Sequence, residues 1–532
     1  MKIIGKDTVE NSLLNRYSYQ KKHLNLKSVH ASIDSVHTQL KKDGYFTSIT
    51  ESITQKEKTI IAKFSLGPKT EKVVIVISKK LKEEYRGSLF TSRDSTSLRP
   101  SEVENYINTI AKELDEQGKS FAEITLEVPK QVKSSFIFHL SIKSSKTRTV
   151  NNIVVKGYDQ FPKFYLKNHY KISSKTIFSK ERLQIISNQT KALSFLEEIK
   201  PPEVLFKKDS TILYLFLKQK KISSIDGIIN FATKDNSNDL LINGNLDLKL
   251  HNVLHTGESF KLFWNRIKDE NSEFRLSTRI PYIFRSAITP SFSFNIYRQD
   301  STFLNTKVNL SLNYRINAKS DISTSFSSEN SNYLLDDANS DIKDFSNYFV
   351  GLGYSFILRS QNTFYNNKLS FQINSSFGSR DENNSSSTTQ YKVESSTTLN
   401  ILTSKRSYLH IKNRLGYLNS KNFLLNELFR IGGANSLRGF NEQSIFTDQY
   451  TYFNTEYRYL VSNSSYLYTI GDVVFFNETL SDKIRNAIGI GVGYSFQLNN
   501  NFINLGYAIG KASGSAFDFN NSKLIISWNT FF

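Results

Sequence analysis

Past residue 222 the chain settles into strict alternation of apolar and polar positions. Ile242, Gly244, Leu246, Leu248 and Leu250 alternate with Asn243, Asn245, Asp247, Lys249 and His251. Val308, Leu310, Leu312 and Tyr314 alternate with Lys307, Asn309, Ser311 and Asn313, and Ile488, Ile490, Val492, Tyr494, Phe496 and Leu498 with Gly489, Gly491, Gly493, Ser495 and Gln497. A period of two is the signature of a strand with one buried or lipid-facing side. Each run is about ten residues long, enough to cross a bilayer at a tilt. Sixteen such strands are expected, starting near Ile225, Leu240, Glu258, Glu273, Ala287, Phe303, Lys319, Asn347, Lys368, Gln390, Arg406, Gln449, Ser465, Ala487, Asn501 and Ser522. Long polar turns (Ser327–Lys343, Arg380–Thr389) alternate with short ones, and Trp264, Tyr297, Tyr354, Tyr417 and Tyr459 sit near strand ends, where an aromatic girdle would place them. A soluble sandwich could share the alternation, but not the strand length, the strand number and the girdle together.

Before residue 222 the period is helical and repeats in blocks. Leu26, Val29, Ile33, Val36 and Leu40 form an apolar face ended by Gly44, with Lys2–Gly5 and Thr8–Tyr17 before it and two strand-like runs, Tyr45–Thr54 and Thr59–Leu66, after it. The order strand, helix, helix, strand, strand returns. Val73–Ser78 opens a second copy, Lys80–Tyr85 is its weak first helix, Ser101 with Glu104 caps a second helix ended by Gly118, and Phe121–Val128 and Ser135–Ile142 are strands. A third copy runs through Val150–Gly157, helices at Phe161–Asn168 and Lys180–Leu196, then Val204–Lys207 and Thr211–Leu217, introduced by Pro201-Pro202. The spacing predicts α+β modules at 1–70, 71–147 and 148–221, followed by an all-β antiparallel barrel over 222–532. His23, His30, His37 and His139 are scattered, and His30 and His37 share a helix face without a third ligand, so they are read as surface residues rather than a metal site.

Composition narrows the chemistry. No apolar run approaches the length of a membrane helix, while aromatics make up 13% of the chain and prolines number 8, which suits many strands. The formal charge of +20 admits nucleic acid, anionic lipid or a solvated lysine-rich surface. No zinc spacing, RNP-type motif or glycine-rich phosphate loop supports the first. With 0 Cys there is no disulfide and no thiolate chemistry. No Ser-His-Asp set or G-x-S-x-G is evident, so no enzyme and no cofactor is expected. Met1-Lys2-Ile3-Ile4 leads into polar residues rather than an apolar h-region, and the chain is read as a mature or trimmed form.

One stretch breaks the alternation. Asn422–Phe446, between the eleventh and twelfth expected strands, contains Ile431–Phe440, or IGGANSLRGF. Gly432 and Gly433 permit a sharp turn, and Leu437-Arg438-Gly439-Phe440 sets one cation among apolar residues. A connector needs neither, so the loop looks built to fold back and dock. At the level of the tripeptide alone, a basic surface hairpin reads the same.

Three β-α-α-β-β modules resemble POTRA domains. Together with a sixteen-stranded barrel, an arginine-glycine-aromatic motif in the sixth long loop, and a final strand bearing Leu524, Ile526, Trp528, Thr530 and terminal Phe532 on one face, they resemble the outer-membrane assembly and translocation superfamily of BamA, TamA and the two-partner-secretion transporters. Three modules is closest in layout to TamA. The resemblance implies that the loop docks in the lumen through Gly432, Gly433, Arg438, Gly439 and Phe440. It also implies that Arg438 pairs with Glu456 and Asp472 on the twelfth and thirteenth strands, although Val474 stands where the family often has glycine. It implies a lateral seam between the first and last strands, at Gly227, Ile228, Trp528 and Phe532, with Gly227 weakening that edge.

The expected function is then non-enzymatic assembly, insertion or translocation of proteins at a Gram-negative outer membrane, the modules lying in the periplasm and binding unfolded outer-membrane or secreted clients by β-augmentation. The seam would serve as a lateral gate. An accessory periplasmic or inner-membrane protein and outer-membrane lipid are the other expected partners; nucleic acid is not one. The alternatives are a two-partner-secretion type transporter passing an exoprotein through the lumen, and a passive porin or receptor, which would not need the modules.

Overall fold

The computed structural model describes the 532 residues except 58, 86–89, 91–93, 144, 209, 234–239, 268–270, 336–340, 361–364, 366, 383–385 and 480–482; for 228–233, 240–243 and 267 it describes the backbone. The chain forms two compact units. One comprises Met1–Val154, Ser173–Ile185 and Pro202–Tyr214, the other Val155–Ile172, Ile186–Pro201 and Leu215–Phe532, so the division falls inside the stretch 148–221.

Three small sheets precede the barrel. In the first, Lys2–Ile4, Thr59–Ser65 and Ile49–Lys56 lie side by side, Thr59–Ser65 in the centre. The helix Leu26–Lys42 starts where the Asn25 side chain accepts from the Ser28 amide, and it buries Val29, Ile33, Val36 and Leu40 against Ala62 and Phe64. His37 is no plain surface histidine. Its ring nitrogens bond the Ser48 and Thr50 hydroxyls at 3.0 and 2.8 Å and it stacks on Phe64, fastening the helix to the neighbouring strand. The second sheet has a fourth strand, Ser95–Leu98, beside Lys72–Val76. In the third, the helix from Lys180 ends at Lys191, and Leu196–Phe206 is a strand. Pro201 and Pro202 lie inside that strand rather than before it. The edge position tolerates them, because only one side of an edge strand has ladder bonds to lose.

The barrel is closed, antiparallel and sixteen-stranded, as the alternation predicts. Its strands are β1 (Ser224–Thr233), β2 (Leu240–His251), β3 (Ser259–Ile267), β4 (Asn271–Arg279), β5 (Ile288–Gln299), β6 (Phe303–Arg315), β7 (Ser320–Tyr333), β8 (Phe345–Arg359), β9 (Asn367–Glu382), β10 (Thr388–Ser404), β11 (Ser407–Asn419), β12 (Gln449–Ser462), β13 (Ser465–Glu478), β14 (Lys483–Leu498), β15 (Asn501–Ala512) and β16 (Lys523–Phe531). Leu310, Leu312, Tyr314, Val350, Leu352, Ile490 and Val492 are exposed on the outer face, whereas Asn305, Asn454, Glu456 and Asp472 are buried on the inner one. A slip of one residue would exchange these sets, so the pattern pins the register.

Three expectations need correction. Tyr297 is not in the girdle: it faces the lumen, 3% exposed, packed with Phe303 and Ile342 and with the Arg430 guanidinium 3.7 Å from its ring. And much of the expected turn Ser327–Lys343 is strand, since β7 pairs with β6 as far as Phe303↔Tyr333. Likewise Arg380–Glu382 belongs to β9 and Thr388–Thr389 to β10. Hydroxyl and amide side chains are compatible with a ladder that satisfies their backbone, which is why polarity alone misread these positions as turn.

Within the second unit, residues 155–172 pack on the short-turn end of the barrel. The Asn252 amide donates to the Tyr158 hydroxyl at 2.9 Å, His255 Nδ1 lies 2.9 Å from the same hydroxyl, and Asn168 donates to the Arg285 carbonyl at 3.0 Å. Arg315, at the end of β6, donates to His169 Nδ1 at 2.7 Å, and His169 Nε2 donates to the Gln189 carbonyl at 3.1 Å. Burial, reinforced by the Arg315 charge, pushes the His169 imidazole down to about 3, so it is held neutral.

Candidate functional site

The loop between β11 and β12 folds into the lumen and carries a small hairpin, Phe429–Ile431 with Ile445–Thr447. Its turn is shaped by Gly432 and Gly433, at φ of +120° and +92°, values side-chain-bearing residues rarely adopt. The Gly432 amide donates to Ser436 Oγ at 2.8 Å and the Gly433 amide to the Leu437 carbonyl at 3.1 Å, closing a tight bend. Leu437 is fully buried among Ile431, Tyr452, Val474 and Ala487.

That apolar seat aims Arg438 at two carboxylates. Its Nε donates to Asp472 Oδ2 at 2.8 Å, Nη2 to Asp472 Oδ1 at 2.6 Å, and its backbone amide to Oδ2 at 3.0 Å, while Nη1 bonds Glu456 Oε1. The fork on Asp472 is the bidentate geometry at which guanidinium and carboxylate match best. Glu456 turns its other oxygen to Arg458, 2.7 Å away, and Arg458 in turn donates to the Tyr408 hydroxyl. Arg438, Glu456 and Asp472 are 8%, 8% and 1% exposed, so water cannot replace a lost partner. Val474, the departure from the expected glycine, supplies part of the seat for Leu437 and leaves Asp472 free to bind.

The tip rests on a bed that the alternation contained but did not flag. Gly489 of β14 and Gly510 of β15 point into the lumen, and the loop lies almost upon them. A Cβ at Gly489 would stand 2.1 Å from the Arg438 carbonyl, and one at Gly510 would stand 2.5 Å from the Phe440 ring. Gly439, at φ +92°, would bring its own Cβ to 2.5 Å from the Gly510 amide nitrogen. Gly489 therefore reads as clearance for the loop rather than as weak strand, whereas Gly491 faces the Tyr507 carbonyl of β15 and Gly493 the Tyr468 ring of β13. Asn454 adds a bond from its amide to the Ser436 carbonyl at 2.6 Å.

The seam residues lie apart from this cluster. β1 pairs with β2 along its whole length but with β16 only at Ser224↔Phe531 and Ile225↔Thr530, among the described residues. The Phe532 amide adds a bond to the Ser223 carbonyl at 2.9 Å. Gly227 lies beyond the paired part, and its missing side chain serves the other neighbour: a Cβ there would stand 2.4 Å from the Asn245 carbonyl of β2. The backbone of Ile228 pairs with Asn245, and its side chain lies outside the described residues. Trp528 and Phe532 are exposed on the outer face, with Trp528 Nε1 donating to Asn501 of β15 at 3.1 Å.

No family model and no curated protein matches the sequence. Solved structures do. CdiB from Acinetobacter baumannii is 15% identical over 95% of this chain and 97% of its own, with a TM-score of 0.55. CdiB from Escherichia coli is 13% identical over 95% and 98%, also at 0.55. BamA from Haemophilus ducreyi lacking POTRA domains 1–3 is 14% identical over 86% and 99%, at 0.47. The chain shares its fold with the CdiB structures across nearly the full length of both.

Proposed function

We propose that this chain is a non-enzymatic outer-membrane factor of the BamA, TamA and two-partner-secretion superfamily, which inserts or translocates proteins. Its N-terminal modules lie in the periplasm and receive unfolded clients, and the seam between β1 and β16 is the gate. The observation that carries this reading is the seam itself: among the described residues, two register pairs join strands of ten and nine residues. The unpaired amides and carbonyls that remain are a template for a client strand, and in lipid they need such a partner. Arg438 holds the lumen loop to β12 and β13 while that edge works, and a buried ion pair suits the task because opening it would strand charge.

The test is a disulfide lock. Extending the register of the two seam pairs brings Ile228 opposite Ser527, and the chain has 0 Cys to interfere. Ile228→Cys with Ser527→Cys, oxidised in proteoliposomes, is expected to stop client insertion, and reduction to restore it. Insertion or export that continues with the seam locked sinks the gate and makes the lumen the route, as a secretion transporter would require.

A further inference from the structure

Arg438 is not the most buried cation of the lumen. Arg380, near the end of β9, is 0% exposed. It donates to Glu382 at 2.6 Å, to the Asn422 side chain at 2.8 Å and to the Asn422 carbonyl at 3.3 Å, and it pairs with Glu427. Asn422 and Glu427 belong to the stem of the lumen loop. The second oxygen of Glu427 accepts from Gln390 of β10 at 2.8 Å. Beside it, Asn426 is clamped from both directions. Its carbonyl accepts from Asn305 of β6 at 2.7 Å, and its side chain donates to Ser331 of β7 at 2.7 Å and to the Lys343 carbonyl at 2.8 Å.

The two ends of the loop are therefore tied to different walls. The stem is bound to β6, β7, β9 and β10, the tip to β12 and β13 over the glycines of β14 and β15. Between them Gln443 reaches Glu273 of β4 at 3.3 Å. A connector gains nothing from burying a guanidinium with two carboxylates, because desolvating them is costly unless all stay together. We propose that Arg380–Glu427, with Asn305–Asn426–Ser331, is a second latch that closes the long-loop mouth of the lumen separately from the Arg438 tip. This rests on the docked-loop reading and adds to it: the loop is a cover with two fastenings, and the stem one controls leakage.

The experiment uses the full chain in planar bilayers, with folding checked by heat-modifiable migration. Ser436→Cys with Asn454→Cys supplies a disulfide that reports whether the tip is docked. Glu427→Ala is expected to raise ion conductance about tenfold or more, since one partner of a buried pair is gone, while the tip disulfide forms as in the parent. Asn305→Ala, which removes a neutral contact, is expected to move conductance the same way by less, and it carries the test if Glu427→Ala does not fold. Parent-level conductance in the folded variants overturns the latch, as does loss of the tip disulfide in step with it. A parent chain whose tip disulfide never forms brings down the docked-loop reading, and the latch with it.

Discussion

Two joints of one barrel differ sharply. Between β8 and β9 the ladder runs from Phe345↔Glu382 to Arg359↔Asn367; between β1 and β16, among the described residues, it stops after Ile225↔Thr530. The walls on either side of the weak joint are nonetheless fastened. On the β1 side, residues 155–172 hold the short turns after β2 and β4 and the end of β6 through Asn252, Arg285 and Arg315. On the β16 side, the loop tip is fixed to β12 and β13 and seated on β14 and β15. A barrel braced on both flanks of one frayed seam can lose that seam's few bonds without losing its shape. Each net hydrogen bond is worth only about 1 kcal/mol, so it is the count of pairs that decides where the wall gives.

The braces can be broken in order of expected effect. Arg438→Ala leaves Asp472 buried without its cation, and is expected to cost about 3–5 kcal/mol in denaturant unfolding of the refolded barrel. A loss under about 1 kcal/mol would mean the tip is not a brace. The other flank is pH-sensitive. His169 has a lowered pKa in the folded chain, near 3 against 6.5 unfolded, so its contribution is complete above pH 6.5 and shrinks as pH falls toward 3. At pH 5 the His169 share of the loss is about 2 kcal/mol, and His169→Gln should remove that share of the slope, while His37, also lowered by burial, keeps its own; an unchanged slope would place the titration elsewhere. Gly510→Ala pushes a methyl into Phe440 and the Gly439 carbonyl, and about 1–3 kcal/mol of overpacking is expected. The gentlest probe sharpens the comparison without mutation. Amides of Lys523–Trp528 that point at β1 should exchange with deuterium well ahead of the β8–β9 ladder, and equal protection would erase the difference between the two joints.

Much of this architecture is legible along the chain. Strand alternation is a local property, and each of the sixteen expected starts lies within a few residues of an observed one. The helix at Leu26–Lys42 and its Gly44 stop are equally local. Arg438 was conspicuous because a cation between Leu437 and Phe440 is out of place in a connector, and the structure brings it to Glu456 and Asp472. Arg380 and Glu427 were missed because Ser379-Arg380-Asp381-Glu382 has the polarity of a turn, and no spacing links it to residue 427. Tyr297 was misplaced because nearness to a strand end says nothing about which face a ring takes.

The period of hydrophobicity is enough to dictate strand, helix and inner or outer side, since those depend on neighbours two to four residues away. Which carboxylate meets which guanidinium, why Gly489 and Gly510 must lack side chains, and how few bonds join β1 to β16 depend on groups up to about three hundred residues apart. Those distances are closed only when the sheet curls round, because the order in which strands meet is set by the sheet's curvature and by what the lumen must hold, and neither is written in any short window of sequence.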